Sequence, residues 1–274
     1  TEPTLPTLLQ MFGFSTVPVF EGQSLDTGGR VQAVGEEVLS PYFLAADPGQ
    51  AVVVHQLSAY REQGALSAFR WFAKGTTTYN FLFSSAAVDG QTVMPRRDND
   101  LSRYAFASFK PTTPFGFRVD NEWSDPELNV QEQPGGGFGH HFRIYPVRDR
   151  NGQFVPDALI VTMDYRGFNY DYQDNIYLVT NIRPENRPTT PIGLTAMSTG
   201  SGMMLTWGTS SGAASYNVYR STAANGPFTA IASGLTAREL VDNTAEAGGL
   251  YFYRVTAVSG AGVESLPHSV IGRA

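Results

Sequence analysis

The chain has 274 residues, of which 16% are charged and 12% aromatic, with 28 glycines, 17 prolines and no cysteine. Few charges beside many rings and turn formers favour short strands joined by tight loops. Without cysteine there is no thiolate metal ligand, thiol nucleophile or disulfide chemistry. The net charge of −6 falls wholly on residues 1–184, because residues 185–274 hold equal numbers of acidic and basic groups. Such a surface repels phosphate backbones, and nucleic acid is not an expected partner.

The opening Thr1-Glu-Pro-Thr-Leu-Pro-Thr7 lacks a basic-then-apolar leader pattern and reads as a mature end or a trimmed linker. Leu5–Phe12 reads as a short helix or as an ordered lead-in. Strand-like runs then recur at Glu37–Ala45, Ala51–Ala59, Ser67–Ala73, Tyr79–Ser84, Arg103–Phe109, Phe115–Val119, His141–Val147, Ala158–Asp164 and Asn175–Ile182. In Phe69-Arg-Trp-Phe72 and Phe142-Arg-Ile-Tyr145 apolar and polar residues partly alternate, as one buried and one wet face require. Asn151-Gly152 supplies the positive-φ positions of a hairpin turn. No apolar run reaches the roughly 18 residues of a membrane span, so no transmembrane segment is expected.

Between Asp164 and Asn175 the chain sets Asp164, Asn169, Asp171, Asp174 and Asn175 in one loop before the last of these strands. Oxygen ligands at short loop spacing suit a hard cation, and the expected cofactor is Ca²⁺. The spacing is not that of an EF-hand. Glu36 is the expected further ligand from an early strand; Glu37 is its alternative, since adjacent strand residues face opposite ways. The alternative for the whole loop is structural, with Asp and Asn side chains capping turns.

A second cluster lies at Asp120-Asn-Glu-Trp-Ser-Asp-Pro-Glu127. A tryptophan beside carboxylates is the chemistry of sugar binding: the ring stacks on the pyranose face while polar groups hold hydroxyls. Trp123, Glu122 and Asp125 are therefore the candidate carbohydrate contacts, with Trp71 extending the platform. The competing expectation is that Trp123 is a core or rim residue. No catalytic residue is assigned, although paired carboxylates keep glycoside hydrolysis open. His140 and His141, adjacent in a strand, would face opposite ways and so not share a metal. No phosphate loop and no nucleophile elbow is present.

Residues 184–191, Pro-Glu-Asn-Arg-Pro-Thr-Thr-Pro, read as a stiff linker. The expected organisation is a domain over 1–184, a Pro-rich linker over 185–191 and a domain over 192–274. After the linker come Trp207, the alternating Tyr216-Asn-Val-Tyr-Arg220, Asp242, and Tyr251 just after Gly248-Gly249, with Val255 and Ala257 beyond. In order and spacing these residues resemble the fibronectin type III family. The resemblance implies an immunoglobulin-like β-sandwich with Trp207 in the inter-sheet core and Tyr251 as the tyrosine corner. It also implies use as a spacer, an adhesion module or an accessory to secreted enzymes. Upstream, Asp171 through Pro184 resembles the closing strand of bacterial extracellular β-sandwich modules, some of which bind calcium.

The expectation is thus all-β: a jelly-roll-like β-sandwich followed by a fibronectin type III sandwich, in a non-catalytic protein that is secreted or held at the cell surface. Its expected role is that of a calcium-stabilised accessory module binding an extracellular polysaccharide or cell-surface component. One alternative is a structural subunit of an adhesive or fibrous assembly, which would oligomerise; another is a fragment of a secreted glycoside hydrolase.

Overall fold

The computed structural model describes residues 2–16, 18, 36–62, 64–129, 139–167, 171–200, 202–224 and 226–274. Contacts divide the chain into two compact units, Thr1–Pro146 with Ala158–Glu185 and Val147–Asp157 with Asn186–Ala274.

The first unit begins with the helix Leu5–Met11. Thr4 caps it by accepting the Thr7 amide, Pro6 sits where no donor is needed, and Leu5, Leu8 and Leu9 form one buried stripe. Two antiparallel sheets follow. One runs in the order Ile182–Pro184, Phe43–Ala45, Phe115–Val119, Ser67–Ala73, Tyr79–Ser85, Arg96–Arg97 and Asp100–Tyr104, with Glu122–Trp123 folded back on Phe115–Val119. The other runs Phe142–Arg148, Phe154–Met163, Asn175–Thr180, Val52–Tyr60 and Gln91–Val93, with Phe106–Phe109 sharing the edge of Val52–Tyr60.

Rings from both sheets close the interior. Phe69 stands 4.5 Å from Tyr177 of the facing sheet and 5.5 Å from Phe83, and Phe109 meets Phe115 edge-on at 5.2 Å. Phe43, Phe69, Phe115 and Phe117 are completely buried, so this aromatic layer supplies much of the hydrophobic stabilisation. The expected sandwich is present.

Two expected strands are each broken where the chain changes sheet. Arg103–Phe109 splits at buried Ala105, with Asp100–Tyr104 in one sheet and Phe106–Phe109 in the other. Asn175–Ile182 splits at Asn181, which has φ +58°, a conformation that Asn tolerates better than most residues. The Asn181 amide donates to the Asp47 and Ala51 carbonyls, and its Oδ1 accepts the Asp47 amide at 2.8 Å. The early run Glu37–Ala45 shortens to Phe43–Ala45, since Pro41 interrupts pairing.

In the second unit a three-stranded sheet, Thr195–Ser198, Met203–Thr206 and Glu239–Asp242, accompanies a four-stranded sheet in the order Thr229–Leu235, Ser215–Ser221, Leu250–Val258 and His268–Arg273. Trp207 lies in their shared core, edge-on to Tyr216 at 5.7 Å, with Val218, Tyr253 and Val255 fully buried beside it. The Glu246 amide donates to Tyr251 Oη at 3.0 Å, which is the tyrosine corner. Gly249 permits it: a Cβ there would lie 2.6 Å from the Tyr251 ring. Arg220 on the Tyr216–Val218 face pairs with Asp242 at 2.8 Å, and Asp242 also accepts Tyr253 Oη.

Candidate functional site

In the first unit a cleft of about 470 Å³ is lined by Arg61, Glu62, Ala65, Leu66, Asp120, Tyr165, Arg166 and Asp174. Strand ends bring these residues together. Arg61 follows Val52–Tyr60, Asp120 follows Phe115–Val119 in a turn with φ +50°, Tyr165 follows Phe154–Met163, and Asp174 precedes Asn175–Thr180. The size and the mix of rings, carboxylates and guanidinium groups suit a small-molecule ligand.

Polar bonds fix the floor. Asp120 Oδ1 accepts the Ala68 amide at 2.9 Å, while its Oδ2 accepts Ser67 Oγ at 3.1 Å and Tyr165 Oη at 2.5 Å. Burial, then the Asp120 charge, pushes the Tyr165 phenol well above its ordinary range. Asp174 Oδ2 accepts the Tyr165 amide at 2.7 Å. Burial, with smaller contributions from the charges of Asp164, Asp171 and Glu2, pushes the Asp174 carboxyl up to about 8. The cleft therefore holds one carboxylate tied by three donors and one carboxyl that is largely protonated at neutral pH.

The described residues of the acidic loop are held by hydrogen bonds within the fold. Asp164, fully buried, accepts the Asp171 amide at 3.1 Å, and Asp171 accepts both the amide and the side chain of Gln173. Asn175 is a core cross-link whose Oδ1 accepts Gln56 Nε2 at 2.7 Å. No three His, Asp or Glu side chains converge as metal ligands would among the described residues. Asp164 and Asp171 each accept donors of the loop itself, as turn-capping side chains do. Asn169 lies outside the described residues. Glu36 is not the inward residue of its pair. Glu37 is, and its partners are basic: His140 Nε2 at 2.7 Å and the Arg143 guanidinium. His141 pairs instead with Glu122.

Nor are the four candidate sugar contacts gathered on one surface. Glu122 is buried against His141, and buried Asp125 accepts Tyr42 Oη at 2.5 Å and caps a short turn through the Glu127 amide. Trp71, half-buried, stacks on Phe109 at 5.2 Å. Trp123 packs edge-on to Phe72 at 4.8 Å, and Arg118 lies 4.6 Å from its ring and 4.3 Å from that of Tyr79. Of the assigned site residues only Asp174 reaches the cleft, where it is joined by Asp120, the first residue of the second acidic cluster. Arg61 and Tyr165 carried no motif; the one available signal was an arginine closing an otherwise apolar strand.

No family model matches the chain, and no curated protein matches it. Among solved structures, an Fn3-like protein from Clostridium thermocellum is similar at 44% identity, over 31% of this chain and 90% of that one, with a TM-score of 0.29. The fourth FNIII domain of a human protein is similar at 24% identity, over 31% of this chain and 78% of that one, with a TM-score of 0.27. A β-1,2-glucanase from Parabacteroides distasonis is similar at 14% identity and a TM-score of 0.26, over 85% of this chain but 28% of that one. No helix among the described residues is long and apolar enough to cross a membrane.

Proposed function

Taking the strands from Thr195 to Arg273 as a fibronectin type III domain, we propose that the chain is a non-catalytic extracellular accessory module. Its first sandwich binds carbohydrate, and its second serves as the spacer. The observation that carries the reading is the cleft at Arg61, Asp120, Tyr165 and Asp174, where fixed donors and acceptors meet the edge of a tyrosine ring and the apolar Ala65 and Leu66. Hydrogen-bonding groups held by their own partners suit hydroxyl recognition, because little ordering entropy is lost on binding.

Glu62 and Leu66 are exposed at this cleft and leave the core untouched when truncated. Retention of the chain on polysaccharides, weakened about tenfold or more by the pair Glu62→Ala and Leu66→Ala, supports the reading. Retention that survives that pair but disappears with Trp123→Ala would move the site away from the cleft.

A second reading has one observation in its favour. Asp174 and Asp120 line one cleft in contrasting environments, the division of labour used in glycoside cleavage. Turnover of a chromogenic glycoside, abolished by Asp174→Asn, would establish the hydrolase instead.

A further inference from the structure

We infer that the cleft recognises an acidic saccharide, whose anionic group sits against the buried guanidinium of Arg61. This rests on the carbohydrate reading above and adds the class of sugar.

Arg61 is 3% exposed. Its Nη2 donates to the carbonyls of Ala65, Ser85 and Ala86 at 3.1, 3.5 and 3.2 Å, whereas Nε and Nη1, both buried, have no hydrogen-bond partner among the described residues. Other arginines in the chain meet carboxylates: Arg143 meets Glu37, Arg220 meets Asp242 and Arg96 meets Asp89. Asp89 feels the Arg61 charge but commits both oxygens to Arg96, at 2.7 and 2.8 Å. Arg61 is thus a cation removed from water with no direct ion pair among the described residues, which is costly unless an anion completes it.

The rest of the cleft says what kind of anion. Arg166, exposed, brings a second guanidinium to the lining, and Asp120, Tyr165 and Asp174 present groups suited to hydroxyls. A bare inorganic anion would leave those groups and about 470 Å³ unused. A sugar bearing a carboxylate or a sulfate engages both sets, and a charge-assisted bond to guanidinium is the stronger of the two kinds.

The test is calorimetric titration of the intact chain with trigalacturonate, its methyl ester, and a sulfated neutral trisaccharide. One of the two acids is expected to bind at least about tenfold more tightly than the ester, and which acid does so distinguishes carboxylate from sulfate. Arg61→Gln should bring that acid down to the ester's affinity and leave the ester unchanged. Since that variant loses three loop contacts and can misfold, a second measurement uses the unaltered chain: the Arg61 Nε–H resonance should move on saturation with the acid and stay still with the ester. Equal binding of acid and ester, or an unmoved resonance, overturns the inference and spares the carbohydrate reading. Absence of binding by all three, and by neutral oligosaccharides, removes both.

Discussion

His140 Nε2 lies 2.7 Å from Glu37 Oε1, and the two side chains are only 5% and 1% exposed. The same carboxylate receives the Arg143 guanidinium. Glu37 therefore neutralises the buried Arg143 guanidinium, and its removal leaves Arg143 without that charge. Glu37→Gln is expected to cost about 3–5 kcal/mol, the usual loss when one member of a buried pair is deleted. Glu36→Gln should stay within about 0.5–1 kcal/mol. Urea unfolding of the two variants checks the contrast, and equal losses would mean that Glu37 is not the anchor.

Asp174 ties stability to pH. Its carboxyl is pushed up to about 8 in the folded chain, first by burial and then by the charges of Asp164, Asp171 and Glu2; Arg61, Glu62, Asp120 and Arg166 line the cleft around it. In the unfolded chain an aspartate titrates near ~3.9. The folded state thus holds the proton more tightly, and its contribution is full below about pH 4 and lost as pH rises to about 8. Melting of the first sandwich between pH 5 and pH 9, both chosen to bracket about 8, should show this decline in the parent and less of it in Asp174→Asn. Identical slopes would show that Asp174 ionises freely.

The sandwich architecture was legible because strand alternation and turn residues are local properties. Ser67–Ala73 and Phe115–Val119 match their expected bounds. The breaks at Ala105 and Asn181 were not legible, since each depends on which sheet the next strand joins, a tertiary choice that strand propensity does not encode. The cleft was hidden for a related reason. Its residues sit at the ends of different strands and far apart in the chain, whereas the eye is drawn to clusters such as Asp120–Glu127. There, proximity in sequence became separation in space: Glu122 turned inward to His141 and Asp125 to Tyr42. The fibronectin type III signature was readable because Gly249, Tyr251 and Glu246 act within one short segment.

The Tyr251 corner should be measurable by itself. Tyr251→Phe keeps the ring over Gly249 and deletes the acceptor of the Glu246 amide. The expected loss is about 1 kcal/mol, a single hydrogen bond with its ring packing retained. Gly249→Ala should cost more, because its new methyl would lie 2.6 Å from the Tyr251 ring. Guanidinium unfolding gives both values, and the reverse order would show that the corner yields without resistance.

A chelator separates a turn-capped loop from an ion-bound one. With Asp164 and Asp171 accepting donors of the loop itself, EDTA should leave the melting of the first sandwich unchanged. A fall of several degrees, restored by added Ca²⁺ but not by Mg²⁺, would instead show that the loop closes on calcium in solution.

Trp123 offers the sharpest separation of stability from binding. Its ring is flanked by the edge of Phe72 and by Arg118, which lies between it and Tyr79. A ring so occupied stabilises the hairpin it closes and has little face left for a sugar. Trp123→Ala should therefore destabilise the first sandwich by about 2–4 kcal/mol, less than full burial would give because the ring is only half buried. Saccharide affinity, measured well below the variant's melting temperature, should stay within about twofold of the parent. Arg118→Ala should reproduce part of the stability loss without touching affinity, since its guanidinium packs on Trp123 and Tyr79 and is absent from the cleft lining. If affinity fell with Trp123 while stability held, the aromatic surface would be the binding face and the cleft a structural hollow.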